Sequence, residues 1–106
     1  MRWRPDDLGV WLSDVDVNGL SDSDADILAQ YDPSSDEGLD QIVTDWVRPR
    51  FEAWDAHNQQ QMLAVLSQSA KWDREQLAPV FGQFAFPGAH IDFGRFIDAL
   101  RRHFPT

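Results

Sequence analysis

Apolar residues recur along this chain at three- and four-residue steps rather than in alternation, and each run follows a capping residue or a proline. That periodicity predicts helices throughout. Pro5, Asp6 and Asp7 open a short first helix with Leu8, Trp11 and Leu12 on its inner face, the carboxylates lying at the positive end of the helix dipole. It should stop near Ser13, leaving residues 14 to 19 as a loop. Ser21 caps a second helix that presents Ile27, Leu28 and Tyr31 before Pro33 ends it.

Ser35 or Asp36 begins the most periodic run, in which Leu39, Ile42, Val43, Trp46, Val47, Phe51 and Trp54 fall on one core-facing stripe. Pro49 interrupts it. An interior proline deletes a backbone hydrogen bond and clashes with the preceding turn, so a kink or a meeting of two helices is expected near Val47. A further helix spans residues 58 to 69 around Met62, Leu63 and Leu66. Asp73 with Gln76 resembles a capping box ahead of Leu77, Val80, Phe81 and Phe84, although Pro79 sits deep for a straight helix. After a turn at Phe86, Pro87 and Gly88, Asp92 caps a last helix with Phe93, Phe96, Ile97, Leu100 and Phe104 inward. The expected fold is all-α, a single domain of five or six short helices over residues 1–106.

Composition sharpens this picture in one respect. Residues 6–40 hold eleven acidic side chains and no Lys or Arg, whereas residues 41–106 carry seven acids against seven bases. The net charge of −9 thus resides in the first two fifths. Helix capping accounts for many aspartates, but it does not require bases to be absent from the same stretch. Self-repulsion there calls for a counter-charge from a metal, a basic partner or salt. The division suggests an acidic recognition segment, 6–40, on a charge-balanced helical scaffold, 41–106.

Several function classes are disfavoured. Thirteen aromatic residues are too many for a disordered chain, and the absence of cysteine removes disulfides, thiol catalysis and cysteine-based zinc sites. Residues 1–16 contain no apolar run resembling a secretory signal, and no stretch approaches the roughly twenty apolar residues of a membrane span. A cytoplasmic protein is expected. His57, His90 and His103 read as a helix C-cap, a loop residue and a dipole-complementing residue of the last turn. No nucleophile elbow, phosphate loop or zinc-binding histidine pair is present. No enzyme activity and no resident cofactor are expected, and direct nucleic-acid binding is opposed by the negative charge.

The sharpest local motif is Asp14-x-Asp16-x-Asn18-Gly19-x-x-Asp22, which resembles the front of an EF-hand calcium loop, with oxygen ligands at alternate positions and a glycine at the sharp turn. The loop departs from that family at its twelfth position, where Ala25 replaces the bidentate glutamate, and at its eighth, where Ser21 stands. Residues 84–100 have the look of the back half of an EF-hand, but Phe84, Phe86 and Arg95 occupy ligand positions. This resemblance implies a calcium site at Asp14, Asp16, Asn18 and Asp22.

In size and charge the chain is also similar to small acidic bacterial immunity proteins and antitoxins, a likeness of general character without a shared residue motif. It implies a binding protein that inhibits a basic toxin or nuclease, its carboxylates standing in for phosphates. The residues expected to carry this are Asp14, Asp16, Asp22, Asp24, Asp26, Asp32, Asp36, Glu37 and Asp40, with Tyr31 and Trp11 as apolar anchors. The alternatives are a calcium-responsive EF-hand-like module and a structural subunit of a larger assembly.

Overall fold

Ser21, Ser35, Asp55, Asp73 and Asp92 each accept a hydrogen bond from a backbone N–H two or three residues ahead, and each stands at the start of a helix. This satisfies donors that the helix itself leaves unpaired. The computed structural model describes residues 3–104. Within them α1 spans Gly9–Leu12, α2 Asp22–Leu28, α3 Asp36–Ile42, α4 Arg48–Glu52, α5 Ala56–Gln68, α6 Arg74–Phe81 and α7 Phe93–His103. No strand occurs among the described residues, and the all-α class is as expected.

Two expectations are refined. The segment after α1 is not an open loop: it forms tight 3-10 turns at Ser13–Val15 and Val17–Gly19. The expected meeting of two helices near Val47 takes a specific form. A π-helical turn, Val43–Val47, joins α3 to α4, and the Arg48 N–H bonds the Val43 carbonyl five residues back. Pro49 follows at the start of α4, directly after the widened π turn. The capping box at Asp73 and Gln76 forms in both directions, at 2.8 and 2.9 Å. His57 lies in the first turn of α5, not at a helix C-terminus.

The core forms where α3, the π turn and α7 lie together, with α5 against α7 and Trp11 of α1 reaching Phe51, Met62 and Phe104. Trp11 is fully buried at its centre. Its ring stacks on Phe51 with centroids 5.5 Å apart and meets Phe104 at 5.1 Å, while its Nε1 donates to the Met62 carbonyl at 2.9 Å. Burying so large an indole is tolerable only with that donor satisfied. Trp11 thus lies on the inner face of its helix as the periodicity predicted, and its suggested part as a surface anchor is corrected.

The division into recognition segment and scaffold also needs correcting. Six residues of the acidic segment, Leu8, Trp11, Leu12, Val15, Leu28 and Leu39, are completely buried in the same core as the later helices. One apolar core thus draws on both halves of the chain. Trp54, expected on the core stripe, is 47% exposed because α4 ends at Glu52 and the chain turns before the stripe reaches it.

Candidate functional site

Helix α2 buries one side chain completely, Leu28 near its end, and is capped at its start by Ser21. Neighbouring helical positions point about 100° apart, so Ile27 cannot share the direction of Leu28. It is 46% exposed, contrary to the inward placement expected from the sequence. Asp22, Ser23 and Asp26 on the same helix are exposed as well. An aliphatic side chain thus stands on an acidic helix, with the half-buried Tyr31 one turn beyond it. The sequence signal was present in hindsight: a seven-residue helix carrying adjacent Ile27 and Leu28 has no second buried turn to receive both.

The chain itself already neutralises part of the acidic segment. Asp36 pairs with Arg95 at 2.7 Å, and that guanidinium also donates to the Ser34 carbonyl. Asp40 meets Arg102 at 2.8 Å and His103 at 3.0 Å; the Arg102 hydrogen bond, above all, holds its carboxyl below the usual range. Asp24 lies 4.0 Å from Arg50. Asp14, Asp16, Asp22, Asp26, Asp32 and Glu37 have no ion pair among the described residues, but they are not equivalent.

Asp14 points inward. One of its carboxylate oxygens is buried with no hydrogen-bond partner. Burial pushes its pKa up to about 6, against a smaller downward pull from Arg50. Asp14 is consequently a poor surface carboxylate. Asp16 is occupied differently: its Oδ1 accepts from the Ala85 N–H at 3.1 Å and, more weakly, from the Asn18 N–H at 3.4 Å. Asp32 tightens its own turn, accepting from the Ser34 N–H at 3.0 Å and from the Ser34 hydroxyl, which lowers its pKa. Tyr31 directs its hydroxyl to Asp45 at a long 3.5 Å. Asp22, Asp26 and Glu37 remain as exposed carboxylates free of such ties among the described residues.

The two EF-hand look-alikes, about seventy positions apart in the chain, come together in space. The Val17 N–H donates to the Ala85 carbonyl at 2.7 Å, and Ala85 returns a bond to Asp16. The implied calcium ligands, however, diverge: Asp14 turns inward, Asp16 is drawn to backbone N–H groups and Asp22 starts α2. Among the described residues no group of three or more His, Cys, Asp or Glu side chains is arranged to hold a metal ion.

No protein-family model matches the chain, and neither a curated protein nor a solved structure matches it. Among the described residues no helix is long and apolar enough to cross a membrane.

Proposed function

We propose that this chain is a cytoplasmic protein-binding inhibitor of the immunity-protein or antitoxin kind, which neutralises a basic toxin or nuclease by covering its positive cleft. The contact surface is α2 with the turn that follows it, from Asp22 to Glu37. The observation that supports this most directly is Ile27, an exposed aliphatic side chain on the same short helix as Asp22 and Asp26, neither of which has an in-chain counter-charge among the described residues. An exposed apolar side chain on a helix that also carries unpaired charge suits an interface better than it suits a merely soluble surface. The carboxylates accelerate encounter with a basic partner, and Ile27 with Tyr31 supplies residence once docked.

Asp36 and Asp40 contribute less than their number in the sequence suggests, because a partner must compete with Arg95 and Arg102 for them. The reading is tested by immobilising the full chain and capturing partners from the lysate of its own organism at low and high salt. The expected result is a basic protein retained at low salt, released at high salt, and inhibited by the free chain in its own activity. Retention of acidic or neutral proteins only, or capture indifferent to salt, overturns it.

A further inference from the structure

Away from α2, the chain's entry segment lies against the link between α5 and α6 and leaves a cleft of about 630 Å³ lined by Trp3, Arg4, Gln68, Lys71, Trp72 and Gln76. That volume falls within the range of small-molecule sites. The lining differs in kind from the rest of the molecule. The chain has eighteen acids and nine Lys and Arg, yet no carboxylate of the described residues lines this cleft, and two cations do. Arg50, Arg95, Arg101 and Arg102 each pair with a carboxylate, and Arg48 is spent on the Phe104 ring and the His103 carbonyl. Arg4 and Lys71 have no ion pair among the described residues.

The aromatic walls complete the site. Trp3 and Trp72 are half-buried and packed against the core, so both indoles are held in place while still facing the cleft. Gln68 reaches the Trp3 carbonyl at 3.5 Å, linking the entry segment to the end of α5. Gln76 is fixed by its capping box with Asp73, whose carboxylate is engaged by the Gln76 N–H and is not among the lining residues. Two indoles in one lining give a flat ring an aromatic surface to lie against, and a guanidinium with an ammonium offers charge to an anion.

We propose that this cleft binds a small aromatic anion of the nucleoside-monophosphate class, the ring lying against Trp3 or Trp72 and the anionic group meeting Arg4 and Lys71. The combination distinguishes it from a simple anion site, since inorganic phosphate cannot use the indoles, and from a simple aromatic site, since a neutral nucleoside leaves both cations unused. This proposal is independent of the partner-binding reading, because none of its residues belongs to the α2 surface.

Calorimetric titration of the full chain with adenosine monophosphate, adenosine and inorganic phosphate tests it. Saturable one-site binding of the monophosphate is expected, with adenosine and phosphate each at least tenfold weaker. Arg4→Gln and Lys71→Gln, both at exposed side chains that leave the fold intact, should each weaken the monophosphate about tenfold. Arg74→Gln, which removes an exposed cation outside the cleft lining, should leave it unchanged. Absence of binding at millimolar monophosphate, equal affinity for phosphate alone, or insensitivity to both cleft variants would overturn the proposal.

Discussion

The indole Nε1 of Trp46 donates to the backbone carbonyl of Asp14 at 2.7 Å, joining the end of the first helical segment to the π turn across thirty-two positions of sequence. Arg50 lies over the same indole, 3.6 Å from the ring centroid, and donates to the Trp46 carbonyl at 3.0 Å. Asp14 is thereby held against the body with its carboxyl only partly hydrated. The arrangement fixes the turn at Ser13–Val15 at the expense of an awkward acid.

A pH dependence follows. Asp14 has a folded pKa of about 6 against an ordinary 3.8, so between those values the folded chain keeps a proton that the unfolded chain releases. Stability contributed by the protonated form is complete below about pH 4, falls as pH rises and is lost above about 6. Asp14→Asn should raise stability at pH 8 by about 1–2 kcal/mol, discounted for partial exposure, and by little at pH 4. Denaturant midpoints of both proteins from pH 4 to 8 check this; a difference independent of pH would remove Asp14 as its source.

Gly38 should resist replacement even by alanine. It lies in the first turn of α3, and a Cβ there would sit 1.6 Å from the Asp32 carbonyl oxygen and 3.0 Å from the Ser35 Oγ that caps the helix. Backbone must move, and the cap opens with it. Gly38→Ala is expected to cost about 2–4 kcal/mol, although helix propensity alone would make alanine stabilising by about 1 kcal/mol. Thermal or denaturant unfolding gives the sign directly.

The proposed interface separates charge from contact. Replacing Asp22, Asp24 and Asp26 together with Asn should leave stability level or slightly improved, because among the described residues the only ion pair removed is the long, exposed one to Arg50. Association with the captured partner should slow several-fold, and more at low salt. Ile27→Ala should act on dissociation instead, losing roughly 1–2 kcal/mol of affinity with little change in association rate. Surface plasmon resonance resolves the two, and association unchanged in the triple variant would place the interface elsewhere.

Phe96 provides the contrasting case. Its ring is completely buried in α7, beside Phe93 at a centroid distance of 6.5 Å. Phe96→Ala should cost about 3–5 kcal/mol and reduce partner binding only in proportion to the folded protein lost. A binding defect in fully folded variant, measured by circular dichroism alongside the binding assay, would make α7 part of the contact surface.

Calcium addresses the EF-hand resemblance. Since Asp14 turns inward and Asp16 already accepts from Ala85 and Asn18, millimolar calcium is expected to leave both the melting temperature and tryptophan emission flat once ionic strength is matched. A saturable rise specific to calcium would instead favour the calcium-responsive module.

What the sequence determined by itself is the all-helical class and four of the helix caps, because both rest on contacts a few residues long; the Asp55 cap of α5 was not among them. Ser21, Ser35, Asp73 and Asp92 were legible as starts since each needs only a backbone N–H two or three residues ahead. The buried rows of α3 and α7 were legible because helical periodicity makes a wide apolar stripe visible in any long enough run. Composition likewise marked the acidic segment, but not which of its carboxylates would remain unpaired.

That last distinction belongs to tertiary structure alone. Arg95 and Arg102 reach Asp36 and Asp40 only because α7 lies across α3, some sixty positions away, and no local pattern encodes that crossing. The partners of Trp11 are equally non-local: its inward side is legible in the periodicity, but Phe51, Phe104 and the Met62 carbonyl meet it only in the fold. The cleft between Trp3 and Trp72 required the entry segment and the α5–α6 link to meet. Short-range hydrogen bonding and periodicity are properties of neighbouring residues; burial, charge pairing and cavities depend on which distant surfaces exclude water from one another.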